Sequence, residues 1–339
     1  MAIRDRLGRP LVSLRLSVTD RCNLRCQYCM PEAEYQWLPR QDILDFDETA
    51  RVARLFHQAG ATRIRFTGGE PLLRRQLPAL LARVAAAAPW DDVALTTNGI
   101  LLEPLAAELK ASGLRRITVS LDTLDRGRFT ALTRADELPR VRAGLECAAA
   151  VFPGFKIDTV AIRGVNDDEI PALVREAGRL GAEIRFIEYM DVGGATRWSP
   201  GQVVSRDQIL AAVADACGTP VPLQPEAWAP ASRYRLPDGQ VIGVIASTTA
   251  PFCATCDRSR LTADGVWYRC LYAARGTDLR ALLRGGAGDA EIVSAIEGAW
   301  AQRADRGAQD RLELADRRAF VPVDSLRRDP HLEMHTRGG

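Results

Sequence analysis

Short runs rich in β-branched and apolar residues alternate with amphipathic runs along the first two-thirds of the chain. The extended runs are LRLSV, RIRFT, VALTT, RITVSL, KIDTVAI and EIRFIEY, each short enough for one strand. Between them, DETARVARLFHQAG, RRQLPALLARVAAAA, LLEPLAAELKASG and DDEIPALVREAGRLG place apolar residues at helical spacing. Strand followed by helix, repeated, predicts an α/β fold: six βα units with a parallel sheet curled into an incomplete (β/α)6 barrel. Each strand leads into a polar or glycine-rich segment: TDRCN, TGGEP, TNG, SLDT, RGVNDDE and EYMDVGG. Those segments are expected to share one rim, where such barrels carry their chemistry.

After RDQILAAVADACG the pattern breaks into PVPLQPEAWAPAS, rich in proline and without helical period. A boundary is placed there, giving a core over 1–218 and a smaller α+β domain over 219–339. The second part reads as short strands in RYRLPDGQVIGVIAS and RLTADGVWYRC, then helical pieces in TDLRALLRG and AEIVSAIEGAW. The charged end, DRRAFVPVDSLRRDPHLEMHTRGG, reads as disordered by its composition.

Composition narrows the class. The 339 residues are 47% hydrophobic and 26% charged, enough to bury a full core without covalent staples. A formal net charge of +2 gives no global field for nucleic acid or an anionic membrane, so any anion site must be local. MAIRDRLGRP lacks the apolar core of a secretory signal, and no run suits a membrane span. The expectation is a soluble, cytoplasmic protein with reduced thiols.

Eight cysteines then change the picture. Cys22, Cys26 and Cys29 form C-x3-C-x2-C, and Cys253, Cys256 and Cys270 form C-x2-C-x13-C. Cys147 and Cys217 stand in alanine-rich helical surroundings and read as small core residues. Three thiolates together suit an iron–sulfur cluster that leaves one iron open to a small molecule. A zinc site completed by histidine is the competing reading, but none of the three histidines lies beside the first triplet in sequence.

The stretch SVTDRCNLRCQYCMPE resembles the signature of radical S-adenosylmethionine enzymes. FCATCDRSRLTADGVWYRC resembles the auxiliary-cluster segment of the GTP 3′,8-cyclase family, which opens molybdenum cofactor biosynthesis. RFTGGEPLLR, LTTNGILL, TVSLDTL, RGVNDDEI, RFIEYMDVG and a final Gly338-Gly339 agree with that family in order, so the resemblance covers essentially the whole chain. It implies two [4Fe–4S] clusters, the first on Cys22, Cys26 and Cys29 and the second on Cys253, Cys256 and Cys270. The first would chelate S-adenosylmethionine, whose reductive cleavage gives a 5′-deoxyadenosyl radical. That radical would take hydrogen from C3′ of GTP, the sugar radical would close on C8, and one electron from the reductant with one proton would then give 3′,8-cyclo-7,8-dihydro-GTP. The second cluster would face the guanine. No general base is implied, because positioning carries the reaction.

Residue by residue, the resemblance places Tyr28, Gly68, Gly69, Glu70, Ser120 and Met190 around S-adenosylmethionine. Glycines at 68 and 69 would let backbone approach that ligand. Arg15, Arg65, Thr96, Lys156, Arg185, Arg258 and Arg260 would meet GTP, forked guanidinium groups suiting a triphosphate. Gly338 and Gly339 would enter the pocket, so one residue added after Gly339 should abolish turnover and leave both clusters intact. Plainer readings exist: packing for Tyr28 and Met190, a helix cap for Glu70, solvated or paired cations elsewhere. Two departures are Asp257 and Asp158, where asparagine is usual; Asp257 is expected to weaken phosphate attraction or to pair with Arg258.

The implied partners are a reductant such as flavodoxin or ferredoxin and the cyclic pyranopterin monophosphate synthase that takes the product. Neither nucleic acid nor membrane is expected, and the chain would be a monomer or homodimer. Two other functions compete: a radical enzyme that modifies a peptide, and a zinc-holding binding protein.

Overall fold

The computed structural model describes residues 3–225 and 229–338. All six anticipated strands form: β1 (Ser13–Ser17), β2 (Arg63–Thr67), β3 (Asp92–Thr97), β4 (Arg116–Ser120), β5 (Lys156–Ala161) and β6 (Glu183–Glu188). They lie side by side in chain order, every neighbouring pair parallel. The crossover that such parallel pairs require is supplied by helices. These are α1 (Phe46–Gln58), α2 (Leu77–Ala87), α3 (Ala106–Ala111), α4 (Arg126–Thr133), α5 (Leu138–Val151), α6 (Ile170–Arg179) and, after β6, α7 (Arg206–Cys217).

Local signals fix several helix starts. Asp45 accepts the Glu48 N–H at the start of α1 while Glu48 accepts the Asp45 N–H, a reciprocal cap, and Ser205 with Gln208 repeats it at α7. The helix expected over LLEPLAAELKASG begins late, at Ala106. Pro104 has no N–H to give, and hydrogen-bonded turns over residues 101–105 replace the first part.

Strands from beyond residue 218 extend the same sheet at both sides. The antiparallel run β7 (Val221–Pro222), β8 (Ser232–Arg235) and β9 (Val241–Ile245) brings β9 parallel to β6. The run β10 (Arg258–Leu261), β11 (Val266–Tyr268) and β12 (Thr277–Asp278) brings β10 parallel to β1. The result is one twelve-stranded sheet whose outermost strands are β12 and β7. Behind β11 lie α8 (Leu279–Arg284) and α9 (Asp289–Ala301), with Trp300 of α9 stacked on Trp267 at 6.4 Å.

The two faces of this sheet differ. Leu14, Leu16, Ile64, Phe66, Val93, Leu95, Ile117, Val119, Ile184 and Phe186 are buried in the core that the helices cover. Alternate positions carry Arg15, Arg65, Thr96, Thr118, Lys156, Asp158 and Arg185, which therefore share the opposite face. A parallel sheet buried on both sides by helices would be apolar on both. Here one face is reserved for polar chemistry.

The charged end is ordered, contrary to the expectation from its composition. A short helix, α10 (Gly307–Asp310), leads into it, and α11 (Val323–Arg328) lies within it. Val321, Leu326, Glu333, His335, Thr336 and Arg337 are buried. The hub is Asp191, after β6: its carboxylate accepts from Tyr272 Oη at 2.8 Å, Arg311 Nε at 2.7 Å and Arg317 Nε at 2.8 Å. Among the described residues no helix is long and apolar enough to cross a membrane.

Candidate functional site

One cavity, of about 440 Å³, lies against the polar face of the sheet. All six cysteines of the two triplets line it, as do Tyr28, Gly68, Gly69, Glu70, Ser120 and Met190. So do Arg15, Arg65, Thr96, Lys156, Arg185, Arg258 and Arg260. The expected single rim is only one end of it. Cys22, Glu70, Asn98 and Ser120 stand at or after the C-terminal ends of strands, whereas Asp92, Arg116 and Lys156 are the first residues of β3, β4 and β5. The space therefore runs the length of the sheet.

The first cysteine loop is fixed by backbone pairing beyond the strands. Val18 N donates to Thr67 O at 3.0 Å, Gly69 N to Thr19 O at 2.9 Å and Glu70 N to Arg21 O at 2.7 Å. A Cβ on Gly68 would lie 2.3 Å from Thr19 O, and one on Gly69 2.3 Å from Arg21 O. The cysteine loop itself therefore requires glycine at both positions. Glu70 is a cap, as its plainer reading had it. Its carboxylate accepts from Leu72 N at 2.9 Å, Thr97 Oγ1 at 2.7 Å and Asn98 N at 2.7 Å. Burial still raises its pKa to about 7, these donors opposing the rise.

Tyr28 Oη donates to Asp122 Oδ2 at 2.7 Å, and Asp122 Oδ1 accepts from Val160 N at 2.9 Å. Asn166 clamps the same corner, its amide reaching Asp122 O at 2.8 Å and Val160 O at 2.9 Å. SLDT and RGVNDDE therefore serve partly to tie β4 to β5 beneath Tyr28.

Cys253 begins a short 3-10 turn, Cys256 precedes β10 and Cys270 follows β11. Two buried arginines brace this second triplet: Arg9 Nη1 donates to Cys253 O at 3.0 Å, and Arg303 Nη1 to Cys256 O at 2.8 Å. Burial raises the Cys256 thiol, but Arg258 and Arg303 outweigh it and bring the pKa down to about 7. Burial pushes Cys270 up to about 11, and Cys22 in the first loop likewise to about 11. Neither Arg9 nor Arg303 stands in a recognisable motif, and nothing in sequence marks them.

No three His, Cys, Asp or Glu side chains among the described residues converge closely enough to hold a single metal ion. The donors are instead two sets of three soft thiols spread around a space, and all six are free of disulfides. Thiol-only donors of that number fit an iron–sulfur cluster with one iron left open.

The cations gather by strand register. Arg15 stands opposite Arg260 on one side and Arg65 on the other. Burial lowers the Arg15 pKa well below the usual guanidinium value, and Arg260, Arg65 and Arg258 add to it by like-charge repulsion. Arg65 and Arg260 are lowered to about 10, burial first. Arg65 Nη1 also donates to Thr96 Oγ1 at 3.0 Å and Thr118 Oγ1 at 3.1 Å. Arg258 lies over the Phe252 ring at 4.5 Å, with Nη2 3.8 Å from Cys256 Sγ. Farther along, Glu183 holds Arg185 at 2.6 Å and Lys156 at 3.9 Å. Asp257 forms its ion pair with Arg63, so of the two expected effects the pairing with Arg258 is not seen, and Arg258 lies by Cys256 of the second triplet. Asp158 does face the cations, and its Oδ1 is buried without a hydrogen-bond partner.

The tail enters this group. Arg260 Nη1 donates to Gly338 O at 2.6 Å, and Arg15 Nη1 donates to it at 3.3 Å. Gly339 lies outside the described residues.

Two family models match in tandem: the radical SAM superfamily over residues 16–177 and Molybdenum Cofactor Synthesis C over 182–309. GTP 3′,8-cyclase 3 of Mycobacterium bovis is 53% identical over 342 aligned positions, covering 99% of this chain and 90% of that protein. The chain belongs to the GTP 3′,8-cyclase family. GTP 3′,8-cyclase 1 of Mycobacterium tuberculosis is 50% identical, covering 99% of this chain and 95% of its own length. Among solved structures, Streptococcus suis SuiB bound to S-adenosylmethionine superposes with a TM-score of 0.59 at 15% identity, over 91% of this chain and 71% of that protein. That likeness shows a shared fold. Family membership makes this a radical enzyme that uses S-adenosylmethionine and an iron–sulfur cluster.

Proposed function

We propose that this chain converts GTP to 3′,8-cyclo-7,8-dihydro-GTP, with one [4Fe–4S] cluster on Cys22, Cys26 and Cys29 and a second on Cys253, Cys256 and Cys270. The carrying observation is that both thiol triplets and the Arg15, Arg65, Arg258 and Arg260 group line a single cavity. We further read the parallel strands as an incomplete barrel, supported by cavity-lining residues drawn from β10, β1 to β6 and β9. The division at 218/219 is then one of labour: the first part carries the radical site, and the second carries the auxiliary triplet and the tail.

When bound, the first cluster and S-adenosylmethionine would supply the hydrogen-abstracting radical. The protein's work is placement. Arg260, Arg65 and Arg258 repel Arg15, and Arg258 repels Arg260, so a triphosphate among them would relieve that repulsion. Lys156 and Arg185 would extend the same row, and Thr96 orients Arg65. Glu70, Ser120, Met190 and Tyr28 would surround S-adenosylmethionine at the cysteine-loop end. With its ligands bound, the cavity would limit water around a primary radical, and proximity rather than proton transfer would lower the barrier.

The deciding experiment gives S-adenosylmethionine and GTP to anaerobically reconstituted, reduced protein and follows products by mass spectrometry. Both 5′-deoxyadenosine and a new nucleotide isomeric with GTP are expected. Deoxyadenosine alone would leave the radical chemistry standing and remove GTP as substrate.

Lys156 supplies a pH test. Burial lowers its pKa to about 8, with Arg185 adding to the effect and Glu183 opposing it. The charged amine that would hold phosphate is present below that pKa and lost above it. GTP affinity should therefore fall roughly tenfold between about pH 7 and about pH 9. Lys156→Arg should flatten this dependence; an unchanged slope in that variant would remove Lys156 from the phosphate site.

A further inference from the structure

His335 is 2% exposed, and neither of its ring nitrogens has a hydrogen-bond partner. Its nearest carboxylate oxygen, Glu333 Oε2, is 3.9 Å from Nδ1, beyond hydrogen-bond reach, and is itself without a partner. Buried polar atoms left unpaired are uncommon because each costs its desolvation. Here two residues of one segment share the defect.

Their location is specific. The His335 ring packs edgewise on Tyr35 at 5.4 Å and Trp37 at 5.7 Å. Arg25 lies over those same two rings at 5.7 and 5.5 Å and donates to Cys22 O and Leu24 O, both at 2.9 Å. The tail is thus seated on the loop that carries the first triplet. A Cβ on Gly194 would lie 2.2 Å from Cys29 O and 3.0 Å from Glu333 Oε2, which sets the orphan carboxylate beside the third cysteine. His335 also lines the cavity, together with Met334.

A neutral imidazole offers one N–H donor and one acceptor. Burial, with Arg25 close by, keeps this ring neutral. We propose that His335 hydrogen-bonds a polar atom of the S-adenosylmethionine seated over the first thiol triplet. The tail would then serve the cofactor through His335, apart from anything Gly338 does at the arginines. This rests on the reading that Cys22, Cys26 and Cys29 present S-adenosylmethionine.

The test measures the S-adenosylmethionine dissociation constant of the reconstituted, full-length protein without GTP, with iron content as a control. His335→Phe keeps the edge contacts to Tyr35 and Trp37 and removes both polar atoms. It should weaken binding roughly tenfold at unchanged iron content. His335→Gln restores a donor and an acceptor and should stay within about threefold of the unaltered chain. Unaltered binding in the Phe variant, or equal losses in both variants, would overturn the proposal and leave His335 a packing residue. An unaltered chain that binds no S-adenosylmethionine would overturn it together with the reading it rests on. If the cofactor is bound and cleaved but no cyclised nucleotide forms, the GTP assignment fails, and the two dissociation constants still decide the role of His335.

Discussion

Cys270→Ala should leave a protein that still cleaves S-adenosylmethionine but no longer cyclises GTP. Cys270 follows β11 in the second triplet, while Cys22, Cys26 and Cys29 are held by backbone pairing between the ends of β1 and β2. The two triplets have separate supports, Arg9 and Arg303 bracing only the second. Loss of one second-triplet ligand should therefore halve the iron, from about eight to about four atoms per chain. Without the proposed anchor the guanine would be misplaced, and a displacement on the ångström scale costs about 10²-fold or more in rate. Cyclised nucleotide should fall by at least that factor while deoxyadenosine persists. Cys26→Ala should abolish both. Undiminished cyclisation by the Cys270 variant would make the second triplet structural and would remove it from substrate positioning.

The parts of this site that could be read from sequence are those whose signal is local. β1 to β6 announce themselves by β-branched runs, and the cysteines by spacing. The cations of β1, β2 and β10 become a site only through register, which sets Arg15 against both Arg260 and Arg65 across strands far apart in sequence. Arg9 and Arg303 carry no local signal, since each acts on a cysteine carbonyl about fifty or more positions away. The order of the tail is hidden from a linear reading for the same reason. Its charges look solvated in a linear reading, yet Asp191, buried after β6, collects Arg311 and Arg317, and its carbonyl accepts from Phe320 N at 2.8 Å. A buried carboxylate with three partners can order a charged segment that composition assigns to solvent. Asp257 shows the reverse case: it is near Arg258 in sequence, but strand geometry hands it to Arg63.

Gly338→Ala should abolish turnover while both clusters and S-adenosylmethionine cleavage remain. Gly338 has φ +65°, a left-handed conformation that costs an L-residue about 1–2 kcal/mol. Sterics add far more, because a Cβ there would lie 1.9 Å from Thr67 Oγ1 and 2.8 Å from Ser17 Oγ. The segment has no room to shift in place, since Ser17 Oγ already donates to Thr336 O at 3.0 Å. The chain must swing away from Gly338 onward while Thr336 stays on Ser17, and Arg15 and Arg260 lose the Gly338 carbonyl. Each guanidinium has five N–H groups, so the carbonyl orients these arginines without exhausting the donors left for a triphosphate. Steady-state kcat/KM for GTP should drop about 10²-fold or more. Activity equal to that of the unaltered chain would make the tail contact incidental. The double variant with Arg260→Leu separates two ways the tail could act. If Gly338 works by orienting Arg260, the second substitution should add little to the first, because both remove one shared interaction. If the losses multiply, the tail acts on GTP independently of Arg260, and its carbonyl contact to that arginine is only a consequence of where it sits.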